Sequence, residues 1–65
     1  MVILVYKDNK QIGYVSRYIH NYLEITPTIN NAYNYGSSSG INFGECICDI
    51  LNYTHIKYTF ELKKV

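Results

Sequence analysis

Cys46-x-Cys48 is the first spacing in this chain that could do chemistry, as half of a metal site or as a redox pair. A zinc site needs about two further ligands, and only His20 and His55 are on offer. Both cysteines also fall in a segment of helical periodicity, where two positions apart means about 200° of rotation. Their thiols then point to opposite sides, so they neither close an unstrained disulfide nor share one ion. His20 and His55 have no Ser, Cys or carboxylate at a spacing that suggests a nucleophile and its base. No catalytic residue, metal or cofactor is expected. Gly36-Ser37-Ser38-Ser39-Gly40 leads into the helix start, where free amides attract anions, but it lacks the lysine and glycine spacing of a phosphate loop. Asn52-Tyr53-Thr54 matches a glycosylation acceptor, which has no consequence in the cytosol.

The remaining chemistry is aromatic. Eight tyrosines stand in a chain with two Phe and no Trp. Tyr6 and Tyr58 are expected to supply core bulk. Arg17, Tyr18, Tyr22, Tyr33 and Tyr35 are harder to bury together in a thin domain, and tyrosine and arginine are the types enriched at protein interface hot spots. They are the expected partner-binding residues. Stacking on single-stranded bases uses the same side chains but needs a basic groove, and here the six Lys and Arg are scattered.

The elements that must position these residues read as follows. Val2 to Tyr6 is apolar on both alternating faces, which fits a strand covered on both sides. Asp8-Asn9-Lys10 suits a tight turn. Ile12 to Ile19 then places Ile12, Tyr14, Ser16 and Tyr18 on one face and Val15, Arg17 and Ile19 on the other. Tyr22 to Thr26 extends that strand or forms a separate one, and Pro27 ends it. Thr28 to Ala32 has turn character with room for one helical turn, and Ala32 to Tyr35 reads as a brief strand with both tyrosines on one face.

Phe43, Cys46, Ile47, Ile50 and Leu51 recur at helical spacing, predicting a helix from about Phe43 to about Tyr53 with that stripe inward. Asn42 is a good N-cap, Glu45 can bond back to it, and Ile41 can pack on Cys46 as a staple. On this phase Cys46 is buried and Cys48 shares the polar side with Glu45, Asp49 and Asn52, where its thiol would be open to chance oxidation across a dimer. From His55 to Val65, Ile56, Tyr58, Phe60 and Leu62 alternate inward against Lys57, Thr59, Glu61 and Lys63. The order β-β-(β)-α-β makes residues 1–65 a single two-layer α+β domain, an antiparallel sheet of three or four strands with one helix packed on it.

Length and charge narrow the function. A chain of 65 residues has room for one thin core and not for a sheltered catalytic pocket, so an enzyme is not expected. A net charge of +1 gives no electrostatic footprint for nucleic acid. Two cysteines do not make a secreted disulfide scaffold. The longest apolar run, Val2 to Tyr6, is too short for a membrane span or a signal peptide, so the protein is expected in the cytosol without a membrane partner. Open sheet edges and aromatic patches favour a homodimer.

The sequence of elements carries a resemblance. A short first strand, Gly13-Tyr14-Val15, Leu23-Glu24-Ile25-Thr26, Ile29-Asn30-Asn31-Ala32-Tyr33, a Ser/Gly stretch, a helix and an alternating last strand resemble small proteins of phages and prophages of low-GC Gram-positive bacteria. The Gly36 to Gly40 loop departs from that look, which has a more charged, helix-starting segment there. That group includes inhibitors of host defence, anti-CRISPR proteins among them. The resemblance implies a non-enzymatic protein that binds and inhibits a host protein, foremost a CRISPR–Cas type nuclease complex. The alternative is a small nucleic-acid or nucleotide binder.

Overall fold

The computed structural model of the chain describes residues 1–36 and 43–64. Its elements run β1 (Val2–Lys7), β2 (Lys10–Ile19), β3 (Tyr22–Thr26), a 3-10 turn (Ile29–Asn31), α1 (Phe43–Thr54) and β4 (Thr59–Lys63). The four strands form one antiparallel sheet in the order β3-β2-β1-β4, with α1 packed chiefly on β4 and β1. This is the small α+β domain that the element order implies. The Asn42 cap, the Ile41 staple and all of the Ser/Gly loop but Gly36 lie outside the described residues.

β1 is central, as its two apolar faces require: Val2, Ile3, Leu4 and Val5 are all buried. The two hairpins turn on Asp8-Asn9 and His20-Asn21, and all four residues have positive φ. Paired positive φ values over two residues match the right-handed twist of the flanking strands, and Asn tolerates them better than most residues. The second turn separates β3 from β2, so Tyr22 to Thr26 is a strand of its own.

β2 departs from simple alternation twice. Its register against β1 slips between Val5 and Tyr6, and against β3 between Val15 and Arg17. The second slip leaves Ser16 as the extra residue of a bulge, and its hydroxyl donates to the Glu24 carbonyl at 3.1 Å and to Glu24 Oε1 at 2.9 Å. A bulge inserts one residue and shifts the phase of everything after it. Val15 and Tyr18 therefore both pack on the core, although strict alternation assigns them to opposite faces. Gly13 faces a further constraint, because a Cβ there would sit 2.5 Å from the Thr26 carbonyl oxygen.

The expected strand at Ala32 to Tyr35 is not one. The Tyr33 amide donates to the Val15 carbonyl in β2 and the Tyr35 amide to the carbonyl of Met1, just ahead of β1, so no ladder continues along the segment. The single helical turn anticipated before it is the 3-10 turn.

The helix carries the largest correction. Gly44, Cys48 and Leu51 are buried and Ile47 is half-buried, whereas Phe43, Cys46 and Ile50 are exposed. The packed face is thus turned by roughly a quarter turn from the predicted stripe. Two contacts set the phase. Gly44 lets the first turn descend onto Tyr35 and Leu62, since a Cβ would lie 2.9 Å from Tyr35 Cβ and 3.0 Å from Leu62 Cδ1. Two turns on, Asn52 reaches the backbone of β4, where Oδ1 accepts from the Phe60 amide at 2.8 Å and Nδ2 donates to the Phe60 carbonyl at 2.9 Å. The side chain thereby occupies the outward-facing peptide groups of an edge strand.

β4 is shorter than its alternation suggests. Phe60 is buried and Tyr58 and Leu62 are half-buried, but Ile56 is 85% exposed in the turn after α1. The His55 amide closes the helix on the Leu51 carbonyl and the Tyr58 amide turns back to His55, which delays the strand to Thr59. Ile3, Val5, Val15, Tyr35, Cys48, Leu51 and Phe60 form the core.

The close approach at Gly44 yields a prediction. Gly44→Ala gains up to about 1 kcal/mol of helix propensity, yet overpacking against the Tyr35 backbone-proximal carbon costs about 1–3 kcal/mol. We expect a net loss, read as a lower urea midpoint at unchanged helix content. A variant at or above the wild-type midpoint contradicts the close approach.

Candidate functional site

Because α1 sits over β4 and β1, the β2 side of the same sheet face is left beside an open groove of about 450 Å³. The volume is large for a chain this short, but the groove is open to solvent rather than an enclosed pocket. Its β2 wall is Ser16, Arg17, Tyr18 and Ile19, all at or just beyond the bulge. Tyr33 and Tyr35 come from the bridging segment, and Phe43 and Ile47 from the first turns of α1.

The aromatic rings are mutually supported. Tyr33 and Tyr35 lie 4.6 Å apart between centroids with a 57° tilt, and Tyr35 and Phe43 lie 6.4 Å apart. At the far end Tyr18 meets His55 edge-on at 5.8 Å, and its hydroxyl donates to Asn21 Oδ1 at 3.3 Å. Tyr35 is buried, so it forms the floor; Tyr33, 54% exposed, stands above it. Burial, and secondarily the neighbouring Tyr33, raises the Tyr35 hydroxyl above the usual phenol range. Arg17 is exposed and is the cation among the groove residues.

Four of the five expected binding residues, Arg17, Tyr18, Tyr33 and Tyr35, therefore converge on one groove. Tyr22 does not line it; it is 58% exposed beside the β2–β3 turn. Of the tyrosines assigned to core bulk, Tyr58 is half-buried against Phe60 at 6.1 Å and Tyr6 is half-buried in β1. Sequence reasoning missed Ser16, Ile19, Phe43 and Ile47 as groove residues. The last two were visible as helix-periodic apolar positions but belonged to a stripe assigned to the core. Ser16 had no signal, because the bulge that presents it is not written in the alternation.

The cysteines stay outside the groove lining. Both are free; Cys46 is exposed and Cys48 buried, the reverse of the expected phase. Burial, reinforced by Asp49, raises the Cys48 thiol, which holds it in the protonated, unreactive form. Brief alkylation of the dilute, monomeric protein at neutral pH is thus expected to add one label, at Cys46, and a second only in denaturant. Mass spectrometry of the intact and digested protein reads this directly, and two labels under native conditions would contradict the burial. Among the described residues no group of three or more His, Cys, Asp or Glu could hold a metal ion, and no helix is long and apolar enough to cross a membrane.

Sheet, helix and groove define a small α+β domain with an aromatic cleft beside α1. Comparison with protein-family models, curated proteins and solved structures gives no match.

Proposed function

We propose that this chain is a non-enzymatic binding protein that blocks a host protein by seating one of its segments in the groove between α1 and β2. The convergence of Arg17, Tyr18 and Tyr33 over a Tyr35–Phe43 floor supports this reading. Aromatic rings already held against one another lose little freedom on binding, and the one guanidinium among the groove residues favours a segment that carries a carboxylate. Occlusion through the groove is favoured over pairing along β4, because Asn52 occupies the outward groups of Phe60. The resemblance to small phage proteins gives the biological direction, with a CRISPR–Cas type nuclease complex as the foremost target and the cytosol of a host cell as the setting.

Selection from a displayed library of short random peptides tests the reading, with an Arg17→Ala, Tyr33→Ala double variant as counter-target. Both side chains are exposed, so the variant is expected to keep the fold. The expected outcome is enrichment of peptides with large apolar residues and an acidic residue, bound at least about tenfold more weakly by the variant. Absence of enrichment, or equal binding by both proteins, overturns the assignment of the groove. Salt-sensitive binding of short single-stranded RNA or DNA tighter than about 10 µM would transfer the site to the nucleic-acid alternative.

A further inference from the structure

The helix has more apolar surface than the sheet covers. Phe43, Ile50 and Tyr53 are 56%, 45% and 85% exposed, and Cys46 is exposed between them. These four positions are spaced three, four and three residues apart, the a-d-a-d spacing of a helix that pairs with another helix. They form one stripe on the outside of α1, adjacent to the face that packs on β4 and β1. No charged residue falls on the stripe, and Asp49 borders it next to Tyr53.

We propose that the stripe is the contact surface of a homodimer in which α1 pairs with α1 of a second copy, antiparallel about a two-fold axis. Its own pattern of sizes points to a second copy. Antiparallel pairing sets Phe43 of one chain against Tyr53 of the other, and Cys46 against Ile50, so each small residue meets a larger one. Parallel pairing would set Cys46 against itself between bulkier layers and leave a void there, which close-packed interfaces avoid. Opposed helix dipoles add to the preference. With aromatic side chains burying about 150–250 Å² each, the exposed parts of the stripe amount to roughly 400–500 Å² per copy. Two copies then bury roughly 800–1,000 Å², the size range of a weak, concentration-dependent association. Phe43 is shared with the groove; Cys46, Ile50 and Tyr53 are not.

Sedimentation velocity over a concentration series tests the dimer. The wild type is expected to reach twice its 7.6 kDa chain mass by about 100 µM. Tyr53→Glu is expected to remain monomeric there with an unchanged circular dichroism spectrum, since Tyr53 makes little contact within its own chain. The groove variant Tyr33→Ala is expected to stay dimeric, which separates this surface from the groove. A wild type that is monomeric throughout, or a Tyr53→Glu protein that dimerises like the wild type, overturns the proposal. Orientation is read by mild oxidation of an Ile50→Cys variant. Its introduced thiol faces Cys46 of the second copy, so a covalent dimer is expected at least about tenfold faster than in the wild type, whose own Cys46 thiols are too far apart to bond. Equal rates overturn the antiparallel arrangement.

Discussion

Tyr35→Ala is expected to unfold most of the protein at ambient temperature, whereas Tyr35→Phe leaves it folded. Tyr35 is 7% exposed, lies in the core cluster with Ile3, Leu51 and Phe60, and carries Phe43 and Tyr33 on its ring. Removing a buried aromatic side chain costs about 3–5 kcal/mol through lost transfer free energy and the cavity left behind. At roughly 0.05–0.15 kcal/mol per residue, a domain of this length holds about 3–10 kcal/mol in total. The loss is thus a large share of the whole, and the thin core has no second layer to refill the cavity. Urea titration followed by circular dichroism reads the effect, and a Tyr35→Ala midpoint near that of the wild type would show that the ring is not part of the core. The phenylalanine variant keeps the ring and should fall within about 1 kcal/mol of the wild type. Groove binding is therefore probed at Tyr33 and Arg17, because truncating Tyr35 removes the floor and the fold together.

That double role marks where residue type stops being informative. Tyrosine and arginine content pointed to an interaction surface, and the chain brings Arg17, Tyr18, Tyr33 and Tyr35 to one groove. Nothing in the spacing separates Tyr35, the buried floor, from Tyr33, the exposed wall, because both depend on backbone bonds to Val15 and Met1 that lie far off in sequence. The strands divide in the same way. β1 was legible because a strand buried on both faces needs an unbroken apolar run, and Val2 to Tyr6 is one. β2 was legible as an element but not in its facing, since the Ser16 bulge re-aims Tyr18 without any mark in the pattern. Positive φ at Asp8, Asn9, His20 and Asn21 accords with residue types that enter the left-handed region more often than most.

The helix phase makes the second large prediction. If the predicted stripe faced the sheet, Ile50 and Leu51 would both be core residues and their truncations would cost alike. In the structure Leu51 is 0% exposed and Ile50 45% exposed. Leu51→Ala is expected to cost about 2–5 kcal/mol, enough to leave little folded protein, because it opens a cavity in the core cluster that Leu51 shares with Val5, Val15 and Phe60. Ile50→Ala removes a side chain that is half in water already and improves helix propensity, so it should stay within about 1 kcal/mol of the wild type when measured dilute. Parallel urea titrations at low micromolar concentration decide between the two phases, and equal losses at the two positions would return the helix to the predicted stripe. The same rotation explains why the periodicity misled. Apolar residues cover more of α1 than one sheet half can bury, and the stripe of regular spacing falls near the middle of that broad arc. Gly44 and Asn52, a missing side chain and a polar one, decide which part of the arc turns down, and the part left over is the surface available to another chain.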